Sequence, residues 1–219
     1  NETSYTYNGT VINSSNPLGE ASNLTIDGDI LNISQGNYTT QLFINKSITI
    51  LGAGMERTFI QMPENSHSLS GNPDSFIEPV LIYSPNYSLL TTNVLIANLT
   101  VDGMGRAQNN TAGIFVYGAN ATIQNVRVSM IYKEGQNETS ENYSMAGIFI
   151  DHLYTVNMNK SVVIENTIID SYIDFGIVAN RFGTNLTVKN TTIYGFGDFL
   201  NISLTQYGIR VGFGAFGSV

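Results

Sequence analysis

Apolar and polar side chains alternate along much of this chain, and the alternation breaks repeatedly at an asparagine. The stretch Asn93 to Gly103, NVLIANLTVDG, sets the pattern. It returns as NATIQNVRVSM from Asn120, SVVIENTIIDS from Ser161 and NLTVKNTTIYG from Asn185. Period two puts Ile96 and Val101, or Ile164 and Ile169, on one face. The residues are β-branched, which suits a pleated surface, whereas on a helix they would scatter around the axis. Asparagine tolerates left-handed backbone and can bond its own main chain, so the chain is expected to turn at Asn98, Asn125, Asn166 and Asn190. These positions are separated by 27, 41 and 24 residues. Each copy is followed by a second strand opening with Gly-Ile: GIFVY from Gly113, GIFID from Gly147, GIVAN from Gly176 and GIRVG from Gly208. Fixed modules joined by loops of changing length are the mark of a repeat architecture.

Coils of such strands stack ~4.8 Å apart. The four asparagines would then lie one above another inside the stack, each amide donating to the next and satisfying polar groups in an apolar interior. The segment Asp29 to Ile60, DILNISQGNYTTQLFINKSITILGAGMERTFI, adds a strand, Gly36 and Tyr38, two short strands, then Gly52 and Gly54. Together these motifs resemble the pectin-lyase-like superfamily, over roughly residues 24 to 213. The resemblance implies an all-β fold, a single-stranded right-handed parallel β-helix with an inward asparagine ladder at one turn. Residues 1–20 read as a polar N-terminal arm and possible donor strand, and residues 21–219 as the β-helix. This fold carries many activities, so function has to be argued from side chains.

Several segments stand outside the repeat. Residues 62–75 read as a loop, with His67 an exposed loop histidine. In FIEPVLIY, Pro79 marks a strand edge or a bend. The longest insertions, Met130 to Met145 and Tyr194 to Tyr207, project from one side of the coil. The tail YGIRVGFGAFGSV has one charge and no capping helix, so it reads as an open end: the chain continues past it, or it docks on another copy, or it tucks over itself.

Composition narrows the setting. The 219 residues are ample for one domain with a core. The net charge of −8 disfavours nucleic acid as a partner. There is no cysteine, and no apolar run approaches the ~20 residues of a membrane span. A start at Asn1 without Met fits a processed mature protein or an artificial boundary equally well. Of 26 asparagines, 17 begin Asn-x-Ser/Thr, where the content of 40 Ser and Thr would give about five by chance. The expected N-linked glycans sit on Asn1, Asn8, Asn13, Asn23, Asn32, Asn37, Asn45, Asn86, Asn109, Asn120, Asn137, Asn142, Asn159, Asn185 and Asn201. Asn98 and Asn190 are sequons too, but as inward ladder positions, with Asn125 and Asn166, they are expected to be bare. Dense sequons without disulfides resemble archaeal cell-surface glycoproteins.

Alternation on the Gly-Ile strands points Ile114, Val116, Ile148, Ile150, Ile177, Ala179, Ile209 and Val211 inward. Phe115, Tyr117, Phe149, Asp151, Val178, Asn180 and Arg210 then point outward. The superfamily's enzymes place lyase, hydrolase or esterase carboxylates on this outer sheet. Here it offers Asp151, with Arg210 two coils away at ~10 Å, while Asp170 and Asp174 fall near a turn. Asp151 and His152 alternate faces and form no dyad, and Gly52 and Gly54 open no helix and bind no nucleotide. No catalytic or metal-binding set and no cofactor other than glycans is assigned. The expected role is an extracellular structural glycoprotein, self-associating into a filament or surface layer through β-helix ends or strand donation. The alternatives are a polysaccharide lyase or esterase, or a glycan-binding adhesin using Phe115, Tyr117 and Phe149, rings that equally suit a subunit contact or simple stacking as neighbours in a ladder.

Overall fold

The computed structural model describes residues 4–7, 10–68, 76–84, 92–108, 110–133, 145–152, 159–195 and 206–219. Strands β1 (Ser4–Tyr7) and β2 (Thr10–Asn13) pair antiparallel with each other. The arm is therefore a hairpin rather than one extended strand. A helix that the alternation did not predict follows, α1 (Pro17–Leu24). Its sequence supplies the local signals: Pro17 in the first turn, and Asn16 as N-cap, whose Oδ1 accepts from the Gly19 amide at 3.1 Å. It buries Leu18 against the first coil, so the β-helix proper begins at Ile30 rather than at residue 21.

The coil then winds regularly, and its strands stack in three parallel sheets, in keeping with a right-handed parallel β-helix. Sheet one stacks β5 (Leu42–Ile44), β8 (Val80–Tyr83), β10 (Thr111–Tyr117), β12 (Met145–Asp151), β15 (Phe175–Asn180) and β18 (Tyr207–Gly212). Sheet two stacks β3 (Ile30–Asn32), β6 (Thr49–Leu51), β9 (Asn93–Asp102), β11 (Asn120–Ser129), β13 (Lys160–Glu165), β16 (Thr184–Lys189) and β19 (Phe216–Ser218). Sheet three joins β4 (Gly36–Thr39), β7 (Thr58–Gln61), β14 (Ile168–Asp170) and β17 (Thr192–Tyr194) with the second halves of β9 and β11. The tail thus continues the stack, β19 pairing on β16, instead of folding over the end. Pro79 immediately precedes β8, where its missing N–H costs no ladder bond, and its carbonyl accepts from Leu42.

The core consists of rows of like residues in register. Ile50, Ile96, Ile123, Ile164 and Val188 form one row in sheet two. Ile60, Val101, Val128 and Ile169 form another in sheet three. Sheet one contributes Ile114, Ile148 and Ile177, all fully buried. In the terminal coil, Val211 faces the same way but is 40 % exposed.

The asparagine turn is present at every copy. Asn98, Asn125, Asn166 and Asn190 have φ of 60°, 51°, 50° and 45°. The inward ladder is not. Asn98 and Asn125 are half-buried, and Asn125 Nδ2 donates to Asn98 Oδ1 at 3.3 Å, but Asn166 and Asn190 are exposed. In the left-handed conformation the side chain leaves at the corner between sheets two and three, so it lies beside the core rather than in it. The reason given for a bare Asn190 therefore falls. A side-chain ladder does exist at the opposite edge of sheet two. Asn93 N donates to Ser47 Oγ at 3.1 Å, Asn120 Nδ2 to Asn93 Oδ1 at 3.0 Å, and Ser161 N to Asn120 Oδ1 at 2.9 Å.

The recurring Gly of Gly-Ile has a packing cause. A Cβ on Gly113, Gly147 or Gly176 would lie 2.4, 2.5 or 2.4 Å from a methyl of Val128, Ile169 or Ile193 of sheet three. It would also lie 2.7, 2.7 or 2.6 Å from the carbonyl oxygen of the glycine in the next coil. Gly147→Ala is expected to destabilise the fold by about 1–3 kcal/mol through overpacking. Denaturant unfolding checks this; an unchanged midpoint would mean that the corner relaxes freely.

Candidate functional site

The outer side of sheet one is where the sequence placed any chemistry. Its central row runs Phe43, Leu81, Phe115, Phe149, Val178 and Arg210. Its middle is apolar and covered. Leu81, Phe115, Phe149 and Val178 are buried, and Phe76 lies over the phenyl rings, 5.4 Å from Phe115 and 4.1 Å from Phe149. Tyr117 is half-buried and stacks parallel to Tyr83 at 5.9 Å. Of the roles open to Phe115, Tyr117 and Phe149, the structure shows stacking between neighbours in a second apolar layer, and the Phe115 and Phe149 rings, at 4 % and 7 % exposure, offer no face to a sugar.

The charges of this sheet are also committed. Arg210 lies over the Phe175 ring at 5.3 Å and the Phe213 ring at 6.0 Å, a cation–π arrangement. The partner of Asp151 is instead Arg181, whose Nε donates to Asp151 Oδ1. Arg181 follows β15 with φ 77°, a left-handed turn that brings its side chain back onto the preceding coil. His152 N donates to the same Asp151 Oδ1 at 2.7 Å, while the buried His152 ring places Nε2 2.9 Å from the Phe182 carbonyl. Asp151 thus meets His152 through the backbone amide, while the described bond of the ring runs to Phe182.

A more polar cluster lies on the outer side of sheet three. Asp170, 1 % exposed, accepts from Arg127 Nε at 2.8 Å, Ser129 Oγ at 2.6 Å and Tyr194 OH at 3.4 Å. Its hydrogen bond raises the Arg127 guanidinium above its ordinary value, against a smaller opposing effect of burial. Asp174 has a partner of its own. Asp174 Oδ2 accepts from the Met145 amide at 2.9 Å, and burial pushes its carboxyl up from the ordinary value while that bond pulls it down. No group of three or more potential metal ligands occurs among the described residues.

The cluster was legible in the repeat. Asp102, Ser129, Asp170 and Tyr194 each stand four places after a turn asparagine, and they are neighbours in one row. Arg127 stands two places after Asn125, on the same outer side. By contrast, nothing local marks Arg181, since its contact depends on the turn geometry after β15.

Among the expected glycan sites, Asn23, Asn32, Asn37, Asn159 and Asn185 are exposed, and Asn45 and Asn120 are half-buried. Asn120 keeps one amide hydrogen after glycosylation, enough for its bond to Asn93. Asn13 lies in β2, where only the backbone is described. Asn1, Asn8, Asn86, Asn109, Asn137, Asn142 and Asn201 lie outside the described residues, as do most of the two long insertions.

The geometry defines a parallel β-helix whose described ion pairs are internal to its own surface. Neither a protein-family model nor a curated protein matches this sequence. Among solved structures, a pectin methylesterase from carrot aligns over 88 % of this chain and 83 % of that one, at 12 % identity and a TM-score of 0.31. No functional residue is carried over from it. Among the described residues, no helix is long and apolar enough to cross a membrane.

Arg127→Ala is expected to cost about 1–2 kcal/mol, at the low end for a charged hydrogen bond because the Arg127 side chain is 37 % exposed. Combined with Asp170→Ala it should cost less than the two separate losses, as a double-mutant cycle would measure; strict additivity would mean no coupling. Asp174 has a raised folded pKa, so its contribution to stability is full in acid and is lost as pH rises through that pKa. Asp174→Asn, which keeps an acceptor for Met145, should unfold at a higher temperature than the parent at neutral pH. The gap should close below the ordinary carboxylate value, and a gap that widened in acid would reverse the assignment.

Proposed function

We propose that this chain is a structural module of an extracellular glycoprotein, self-associating by strand addition at the edges of its β-helix into a filament or surface layer. The observation that carries this reading is the commitment of its polar groups. Asp170 is 1 % exposed beneath Arg127, Ser129 and Tyr194, and Asp151 is held by Arg181 and the His152 amide. A lyase or esterase needs carboxylates that reach a substrate, and these two are taken up in holding successive coils together. The solvent-facing positions of sheets two and three instead carry sequon asparagines, among them Asn32, Asn37 and Asn185.

The mode of association is suggested by the two ends. The first coil is covered by α1, which lies against β1 and β5. Beyond it, hairpin β1–β2 forms a two-stranded sheet of its own, which gains stability by joining a larger one. At the other end, β18 and β19 have one described neighbour each, and Phe213 and Phe216 are 63 % and 62 % exposed. Such an edge takes a further strand from a following coil or from a second copy. The proposal takes a second copy because the two-stranded sheet β1–β2 of the same chain offers a donor, with glycans keeping the sides apart and the outer surface of a cell as the setting.

Residues 1–219 should show a solution mass that rises with concentration. Deletion of residues 1–14 should shift the mass toward the monomer with the unfolding midpoint little changed. A monomer at all concentrations, with both termini intact by mass spectrometry, would refute strand addition.

A further inference from the structure

The four left-handed turns form an internal comparison. Two are sequons, Asn98-Leu99-Thr100 and Asn190-Thr191-Thr192, in the same conformation. Their surroundings differ. The first is roofed by the preceding coil. Gly54 N donates to the Asn98 carbonyl at 2.9 Å, and a Cβ on Gly52 would lie 2.2 Å from that oxygen. Its hydroxyl is engaged, since Thr100, 3 % exposed, donates to the Met55 carbonyl at 2.7 Å. Its amide oxygen accepts from Asn125. The second is open: Asn190 and Thr192 are both exposed. Asn166, which has coils paired on both sides, is exposed as well, so exposure of a turn asparagine here does not require an open end of the stack.

We infer that Asn190 is an N-glycosylation site and that Asn98 is not, reversing what an inward ladder would require for Asn190. The inference rests on the reading of the chain as a glycoprotein. The donor class is an oligosaccharide carried on a lipid phosphate. Asn190 Nδ2 forms a bond to the anomeric carbon of the first sugar as the bond from that carbon to the phosphate oxygen breaks. The lipid phosphate leaves with the electron pair, and the displaced amide proton passes to solvent. The sugar then projects sideways from the corner between sheets two and three, away from every packed row. Asn166 shares the exposure but has Ile168 where the sequon needs a hydroxyl, so it serves as a matched negative.

The test is glycopeptide mass spectrometry on residues 1–219 secreted from an N-glycosylating host, beside a reporter glycoprotein whose modification proves the host competent. Sugar is expected on the peptide holding Asn190, and none on Asn98 or Asn166. Thr192→Ala, which leaves the turn asparagine in place, should lower the intact mass by one glycan with the unfolding midpoint little changed. A bare Asn190 beside modified Asn32, Asn37 or Asn185 overturns this site alone. Bare asparagines throughout, with the reporter modified, overturn the glycoprotein reading as well. Sugar on Asn98 overturns the argument that the roof decides between the two turns.

Discussion

The register between successive coils is the constraint on which this molecule depends. Parallel backbone hydrogen bonds set each strand directly above its predecessor, and the side chains follow. A slip of one residue would carry the row Ile50, Ile96, Ile123, Ile164 and Val188 from the interior to the surface. The corner glycines enforce the same register. Gly113, Gly147 and Gly176 leave room for the branched row of sheet three and for the carbonyl of the coil beyond. Core row, turn and corner therefore repeat as a unit, and insertions between them can vary in length without disturbing it.

The same stacking organises the outside. Outward positions also form rows, and a row of aromatic or aliphatic residues packs with itself. Sheet one carries a second apolar layer beneath Phe76, with Tyr83 on Tyr117 and Phe175 on Tyr207 at its margins. Charges in such rows meet partners from neighbouring coils, as Asp170 meets Arg127 and Asp151 meets Arg181. Ion pairs of this kind tie coil to coil.

Within the stack, identical motifs have unequal surroundings. The turn at Asn98 is covered by the Gly52 to Gly54 segment, whereas that at Asn166 is exposed. A turn motif states a backbone conformation. Its solvent exposure is a property of the coil that lies against it.

Period-two alternation, β-branched residues and the asparagine break are local features, so the amino-acid sequence by itself determined the strands, the left-handed turns and the parallel coil. It also contained the row of Asp102, Ser129, Asp170 and Tyr194, because equal offsets from the turn become equal heights in the stack. Tertiary structure alone decided that Asn166 and Asn190 face solvent, that Phe115 and Phe149 are covered, and that Arg181 rather than Arg210 meets Asp151. Helix α1 belongs between these cases: its cap and proline were present in the sequence, but its eight residues are too few to hold without the first coil to bury Leu18. The division has one physical cause. Alternation and turn propensity act over a few residues, whereas burial and ion pairing are set by whichever distant segment the register brings alongside.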